Sequence, residues 1–218
     1  LVGRASSPPV SEPMLRRMCA LIAHRGPDGE GVHLDGPVGL GHRRLRVIDL
    51  ETGDQPIYSE DRSIIIVLNG EIYNFHELRR DLESRGHRFR TRTDTEVIVH
   101  LYEEKGVDCL ADLRGMFAFA IWDQPRRRLF AAVDRVGKKP FYYAEWKGIL
   151  RFASELKPLL ADPDFPRELD AESLDDYVSY QYVPAPRTIW RGASKLPAAH
   201  ALTWSEGQLK VWRYWDLD

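Results

Sequence analysis

An amide side chain and a glycine stand side by side at Asn69-Gly70, directly after the apolar run Ile64, Ile65, Ile66 and Val67. A side-chain N–H and an adjacent backbone N–H at the mouth of a buried strand can hold the oxyanion of an acyl-transfer intermediate. Standing alone, Asn-Gly is more often a plain turn, so both readings stay open. Behind the pair, residues 74–85 have helical periodicity, with Asn74 and Glu77 at capping-box spacing and Gly86 closing the far end. The pattern predicts a strand, a turn at Asn69-Gly70 and then a helix. The seven histidines fall at no metal-ligand spacing and no cysteine pair supports zinc, so no metal is expected.

The elements that would hold this pair follow from the alternation of period along the chain. Met14, Met18, Leu21 and Ile22 share a helical face within residues 14–24. Residues 25–31 carry Gly26, Pro27, Gly29 and Gly31 and read as a loop. Residues 38–48 read as a strand with a bulge at Gly41, and residues 89–92 as a short strand. Thr93-Asp94-Thr95-Glu96 repeats the capping-box spacing ahead of Val97, Ile98, Leu101 and Tyr102. A second amphipathic helix is expected there, with Asp94 in its first turn, where the helix dipole favours a carboxylate. Two hairpins follow, over residues 116–133 and 140–153, then a short helix from Ser154 and a helix over residues 171–180. A peripheral hairpin closes the chain within residues 201–212. Two helices between runs of antiparallel-looking strands predict an α+β fold, two sheets with helices outside. Proline recurs from Pro163 onward, which divides the chain into a core of residues 1–163 and a C-terminal extension of residues 164–218.

A chain of 218 residues with 43% hydrophobic and 29% charged residues is an ordinary soluble globular composition. Its net charge of −2 argues against nucleic acid or an anionic membrane as the main partner. No apolar run is long enough to span a bilayer and no signal-peptide pattern appears. Two cysteines, Cys19 and Cys109, are too few for a disulfide framework, so a reducing cytoplasm is the expected compartment. The chain opens on Leu1 rather than Met and is expected to lack its first residues.

Seven stretches in order resemble the glutamine-hydrolysing asparagine synthetases. They are His24-Arg25-Gly26-Pro27-Asp28-Gly29, His42-Arg43-Arg44-Leu45-Arg46-Val47-Ile48-Asp49, Asn69-Gly70-Glu71-Ile72-Tyr73-Asn74 and Thr93-Asp94-Thr95-Glu96-Val97-Ile98. Arg114-Gly115-Met116-Phe117-Ala118-Phe119-Ala120, Asp134-Arg135-Val136-Gly137-Lys138-Lys139-Pro140 and Ser154-Glu155-Leu156-Lys157 follow. The resemblance is to the N-terminal class II glutamine amidotransferase domain, an N-terminal-nucleophile hydrolase, and implies a four-layer αββα sandwich. It implies hydrolysis of glutamine to glutamate and ammonia, the ammonia passing to aspartate or a related carboxylate. By the same resemblance Asn69 and Gly70 form the oxyanion hole and Arg44 takes the substrate α-carboxylate. Asp94 and Glu71 take the α-ammonium, and the backbone of Leu45, Arg46, Val47 and Ile48 lines one wall. The family's nucleophile, an N-terminal cysteine, belongs several residues ahead of Leu1, and neither Cys19 nor Cys109 can replace it, so the chain as it stands is expected to be inactive. Arg46 stands where the family usually has a small residue, and Val133 where it commonly has Arg. No cofactor is implied for this domain; ATP and magnesium belong to a synthetase domain not included in these residues. That domain is the implied partner, and the tail leaves a homodimer open. The competing reading is a catalytically silent, glutaminase-shaped module that regulates a synthetase.

Overall fold

The computed structural model describes residues 1–3 and 5–217. In chain order the strands and helices are β1 (Val2–Gly3), α1 (Glu12–Ala20), β2 (Gly29–Asp35), β3 (Val38–Arg44), β4 (Ile57–Tyr58), β5 (Ile64–Ile72), α2 (Phe75–Ser84) and α3 (Glu96–Lys105). They continue as β6 (Gly115–Asp123), β7 (Arg128–Val133), β8 (Tyr142–Trp146), β9 (Ile149–Ala153), α4 (Ala171–Tyr180), β10 (Ser194–Lys195), β11 (His200–Ser205) and β12 (Gln208–Arg213). Two antiparallel six-stranded sheets result, in the orders β10-β8-β9-β1-β3-β2 and β12-β11-β7-β6-β5-β4.

The central strand β5 is apolar at consecutive positions because both of its faces are covered. Ile64, Ile66 and Leu68 pack outward with Leu78 and Leu82 of α2 and Val97, Ile98 and Leu101 of α3. Ile65 and Val67 pack inward with Val2, Val38, Leu40 and Leu150 of the other sheet. On the far side, α1 lies against β3 with Leu15 and Cys19 buried. The layers therefore run helix, sheet, sheet, helix, the α+β sandwich expected.

Several local expectations give way to tertiary pairing. Asn69-Gly70 is not a turn: β5 runs through it, with Asn69 opposite Ala118 and Gly70 opposite Phe117. Glycine is needed at position 70 for close approach, since a Cβ there would stand 2.1 Å from the Met116 carbonyl oxygen. Gly41 is not a bulge, because β2 and β3 pair continuously past it. Its missing side chain seats α1, as a Cβ would lie 2.5 Å from Cys19 Sγ. Neither capping box forms. Asn74 instead donates to the Asp112 carbonyl at 2.9 Å and accepts from the Arg114 N–H at 3.0 Å. Glu96 accepts the N–H groups of Arg90 and Thr91 at 2.8 and 2.7 Å, and Asp94 precedes α3 rather than entering its first turn. Residues 89–92 and 45–48 are loop, and the helix expected from Ser154 is a 3-10 turn at Lys157–Ala161. The first helix is shorter than residues 14–24, ending at Ala20. The C-terminal hairpin forms the edge of the second sheet, with β12 outermost and largely exposed, but β11 pairs with β7 and carries Leu202 and Trp204 into the space between the sheets, so the core extends past residue 163.

Where β7 leaves the second sheet, Asp134 organises the return to the first. Its fully buried carboxylate accepts backbone N–H groups from Phe117, Val136, Lys138 and Lys139 at 3.0–3.2 Å. This holds the loop that carries Lys139 and Phe141 to the wall of the main cavity.

Candidate active site

A cavity of about 510 Å³ opens where the two sheets meet α1 and the loop ahead of α3. That volume suits a small molecule. Arg44, Leu45, Val47, Ile48, Asn69, Gly70, Glu71 and Asp94 all line it; Arg46 does not. Arg46 instead points along the surface toward Asp54, 3.7 Å away, while its N–H donates to Asp28 at 2.9 Å.

The donor pair owes its exposure to sheet register. Phe117 uses its own N–H and carbonyl on Asp134, so its partner Gly70 faces the opposite edge of β5. Along that edge the Leu68 N–H goes to the Gln55 side chain at 2.6 Å and the Ile72 N–H to Asp94 at 2.8 Å. Gly70 lies between them, beyond the end of β4, and its N–H is left to the cavity. Asn69 Nδ2 is buried beside it without a hydrogen-bond partner. An unpaired buried amide costs about 1–3 kcal/mol, which selects for a ligand that supplies the acceptor.

The charged groups line the same cavity. Arg44 is 6% exposed; Nη1 donates to Asp54 at 2.6 Å and Nη2 to the carbonyls of Ile48, at 3.1 Å, and Asp49. Gly53 makes room for this, as a Cβ there would meet Arg44 Nη2 at 2.3 Å. Asp94 is 5% exposed, and burial, with the Glu71 charge as a smaller contribution, raises its pKa above the usual carboxylate range. A cation entering the cavity would relieve that cost. Cys19 also lines the cavity, but burial pushes its thiol up to about 11, so it is not a thiolate near neutrality.

Two supporting residues were not singled out from the sequence. The Gln55 side chain pairs both the N–H and the carbonyl of Leu68, in place of the strand that β4 no longer supplies. His42 of β3 shares that carbonyl through Nε2 at 3.0 Å and so ties the first sheet to the second beneath Asn69. Neither stands in a pattern that distinguishes it from a surface polar residue. Burial lowers the His42 pKa to about 4, against 6.5 in the unfolded chain. The unfolded state therefore binds the proton first: stability is complete above about pH 6.5 and declines as pH falls toward 4. The expected loss is on the order of 2 kcal/mol, discounted for partial exposure of the ring. Urea unfolding from about pH 7 to about pH 4 checks this, and His42→Gln should remove that part of the slope.

A sequence profile described as the glutamine amidotransferase domain matches residues 1–215. Asparagine synthetase [glutamine-hydrolyzing] 3 of Bacillus subtilis (strain 168) is 42% identical over 206 residues, covering 93% of this chain and 33% of the relative. Asparagine synthetase [glutamine-hydrolyzing] 2 of the same organism is 48% identical over 164 residues, 75% of this chain and 22% of the relative. The chain thus spans about a third or less of these proteins. Among solved structures, the allosteric regulatory enzyme of purine biosynthesis superposes with a TM-score of 0.71 at 18% identity, over 97% of this chain and 47% of that one. Glutamine phosphoribosylpyrophosphate amidotransferase from B. subtilis superposes with a TM-score of 0.65 at 20% identity, over 97% and 47%. These two likenesses speak to the fold alone. With the profile spanning nearly every residue and the fold in agreement, the chain belongs to the glutamine amidotransferase domain family and is similar, within it, to the glutamine-hydrolysing asparagine synthetases.

Proposed function

We propose that the cavity binds glutamine and hydrolyses its side-chain amide to glutamate and ammonia. The reading is carried by one observation: an unpartnered amide, Asn69 Nδ2, lies beside the free edge of Gly70 in the same cavity as a buried Arg44 and a buried Asp94. A free amino acid brings an α-carboxylate for Arg44 and an α-ammonium for Asp94 and Glu71, and its carboxamide oxygen then reaches the donor pair. For Arg44 to take the substrate carboxylate, Asp54 must yield; its side chain is 65% exposed, so it can return to water at small cost.

The attacking group is proposed to come from a continuation of β1. Leu1 pairs with Gly39, and β1 is antiparallel to both β3 and β9. A strand extended upstream from Leu1 would run between Gly41 and His42 on one side and Ala153 on the other, all three in the cavity wall. An N-terminal cysteine there would add through sulfur to the carboxamide carbon, the oxyanion being held by Asn69 and Gly70. Collapse breaks the C–N bond and releases ammonia, the α-amine returning the proton, and water then cleaves the thioester to glutamate. The ammonia is proposed to reach aspartate or a related carboxylate activated with ATP and magnesium in a separate synthetase domain. Exposed Leu174, Tyr177 and Val178 of α4, with Tyr180 and Tyr182, offer that domain an apolar face. No helix among the described residues is long and apolar enough to cross a membrane.

Glutamine KM in Asp94→Asn tests the assignment in the complete protein. The amide retains an oxygen for the Ile72 N–H, so the fold should survive, while a buried charge contact worth about 1.5–3 kcal/mol is lost. KM is expected to rise about 10- to 100-fold, and preference for glutamine over an analogue lacking the α-amino group should fall by the same factor. An unchanged preference would remove Asp94 from substrate recognition.

A further inference from the structure

We propose that His87, His100 and Glu103 bind a divalent metal ion of the zinc class, at a site whose residues do not line the glutamine cavity. Sequence spacing hid it, because His87 lies in the loop after α2 while His100 and Glu103 lie one turn apart on α3. Folding brings three ligand atoms together. The Nδ1 atoms of His87 and His100 are 3.1 Å apart, Glu103 Oε2 is 2.8 Å from the second and 3.6 Å from the first. A triangle with these sides has a circumscribed radius of about 1.9 Å, so an ion about 2.0–2.2 Å from each atom sits just off its plane. This is one face of a zinc tetrahedron.

The surroundings match the chemistry. The distal nitrogen of His87 meets Glu104 Oε1 at 3.1 Å, and Glu104 is itself held by Arg85 at 2.6 Å. The distal nitrogen of His100 has no hydrogen-bond partner and faces Glu96 Oε1 at 3.8 Å, with the His100 ring 1% exposed. Carboxylates behind ligating imidazoles fix the tautomer that leaves Nδ1 free for the metal. Phe89 packs edge-on to the His100 ring, a dry wall on one side. On the other, a cavity of about 430 Å³ is lined by Glu60, Asp61, Arg85, Gly86, His87 and Glu103. Three carboxylates against one guanidinium favour entry of a cation, and the space admits a water as fourth ligand. The ion would clamp the loop after α2 to α3.

The rival arrangement is a single proton on His100 Nδ1, shared between Glu103 and the His87 lone pair. Calorimetric titration of the metal-stripped complete protein with Zn²⁺, and the visible spectrum with Co²⁺, separate the two. One equivalent of zinc, a tetrahedral cobalt spectrum and a melting temperature that rises with zinc concentration are expected. Affinity should fall about 10- to 100-fold in Glu104→Ala and further in His87→Asn and Glu103→Gln. Anomalous scattering at the zinc edge from a crystal of the unaltered protein reads the site without any variant, and its peak should lie on the Nδ1–Nδ1–Oε2 triangle. No stoichiometric uptake, an anomalous peak elsewhere, or uptake unchanged in both ligand variants would leave the proton in place of the metal and overturn the proposal.

Discussion

Replacing Asn69 with alanine is expected to lower kcat for glutamine hydrolysis by about 10²- to 10³-fold in the complete protein, with little change in KM. The amide nitrogen has no hydrogen-bond partner in the folded chain, and in the proposed mechanism its acceptor is an oxygen that becomes negative during the reaction. The same fact predicts the stability of the variant. A buried donor without an acceptor already weakens the fold, and removing it leaves urea unfolding unchanged or slightly shifted to higher denaturant. A loss of rate together with a loss of stability would instead make Asn69 a structural residue of β5. Unchanged turnover would remove it from the oxyanion hole altogether.

Asp134→Ala is expected to cost about 3–5 kcal/mol of folding free energy, the largest stability effect foreseen for a polar substitution here. Four backbone N–H groups converge on this carboxylate, and alanine leaves them buried without acceptors. Asp134→Asn keeps one carbonyl oxygen and should fall between alanine and the native residue. The urea midpoints of the three proteins, at equal m-values, check the ranking. Equal stability of all three would mean that the loop finds other acceptors. The alanine variant should also disturb the cavity, because Lys139 and Phe141 lie on the loop that the carboxylate holds.

The sequence and the structure agree where residues face one another across a repeated period. The strands β6 and β7 follow from apolar runs either side of a turn, and α4 runs over residues 171–180 as expected. The agreement fails where a polar side chain chooses between a local and a distant partner. Asn74 has the spacing of a cap yet bonds Asp112 and Arg114 of a distant loop, and Glu96 reaches past its expected cap to the N–H groups of Arg90 and Thr91, choices that spacing does not reveal. The pair Asn69-Gly70 reads as a turn in sequence because the nine-residue pairing of β5 with β6 is non-local. Residue type alone nonetheless marks it as a candidate donor pair, and both residues line the cavity. Arg44, Asp94 and Glu71 came from the family resemblance and meet round one cavity. Arg46 stays outside because β3 ends at Arg44 and the chain turns over the surface. His100 and Glu103 are neighbours along α3, and His87 joins them only because the loop after α2 folds over that helix.

Arg44 greets an incoming molecule with its charge already spoken for by Asp54 and two carbonyls. A lone anion such as acetate therefore finds no bare cation to settle on, and must evict a resident carboxylate of equal charge to gain entry. In the proposed binding mode a zwitterion recovers that loss elsewhere, by placing its ammonium against Asp94. Under the proposed binding mode Asp54 is thus a placeholder on Arg44 that sets a simple acid at a disadvantage to one that also carries an ammonium.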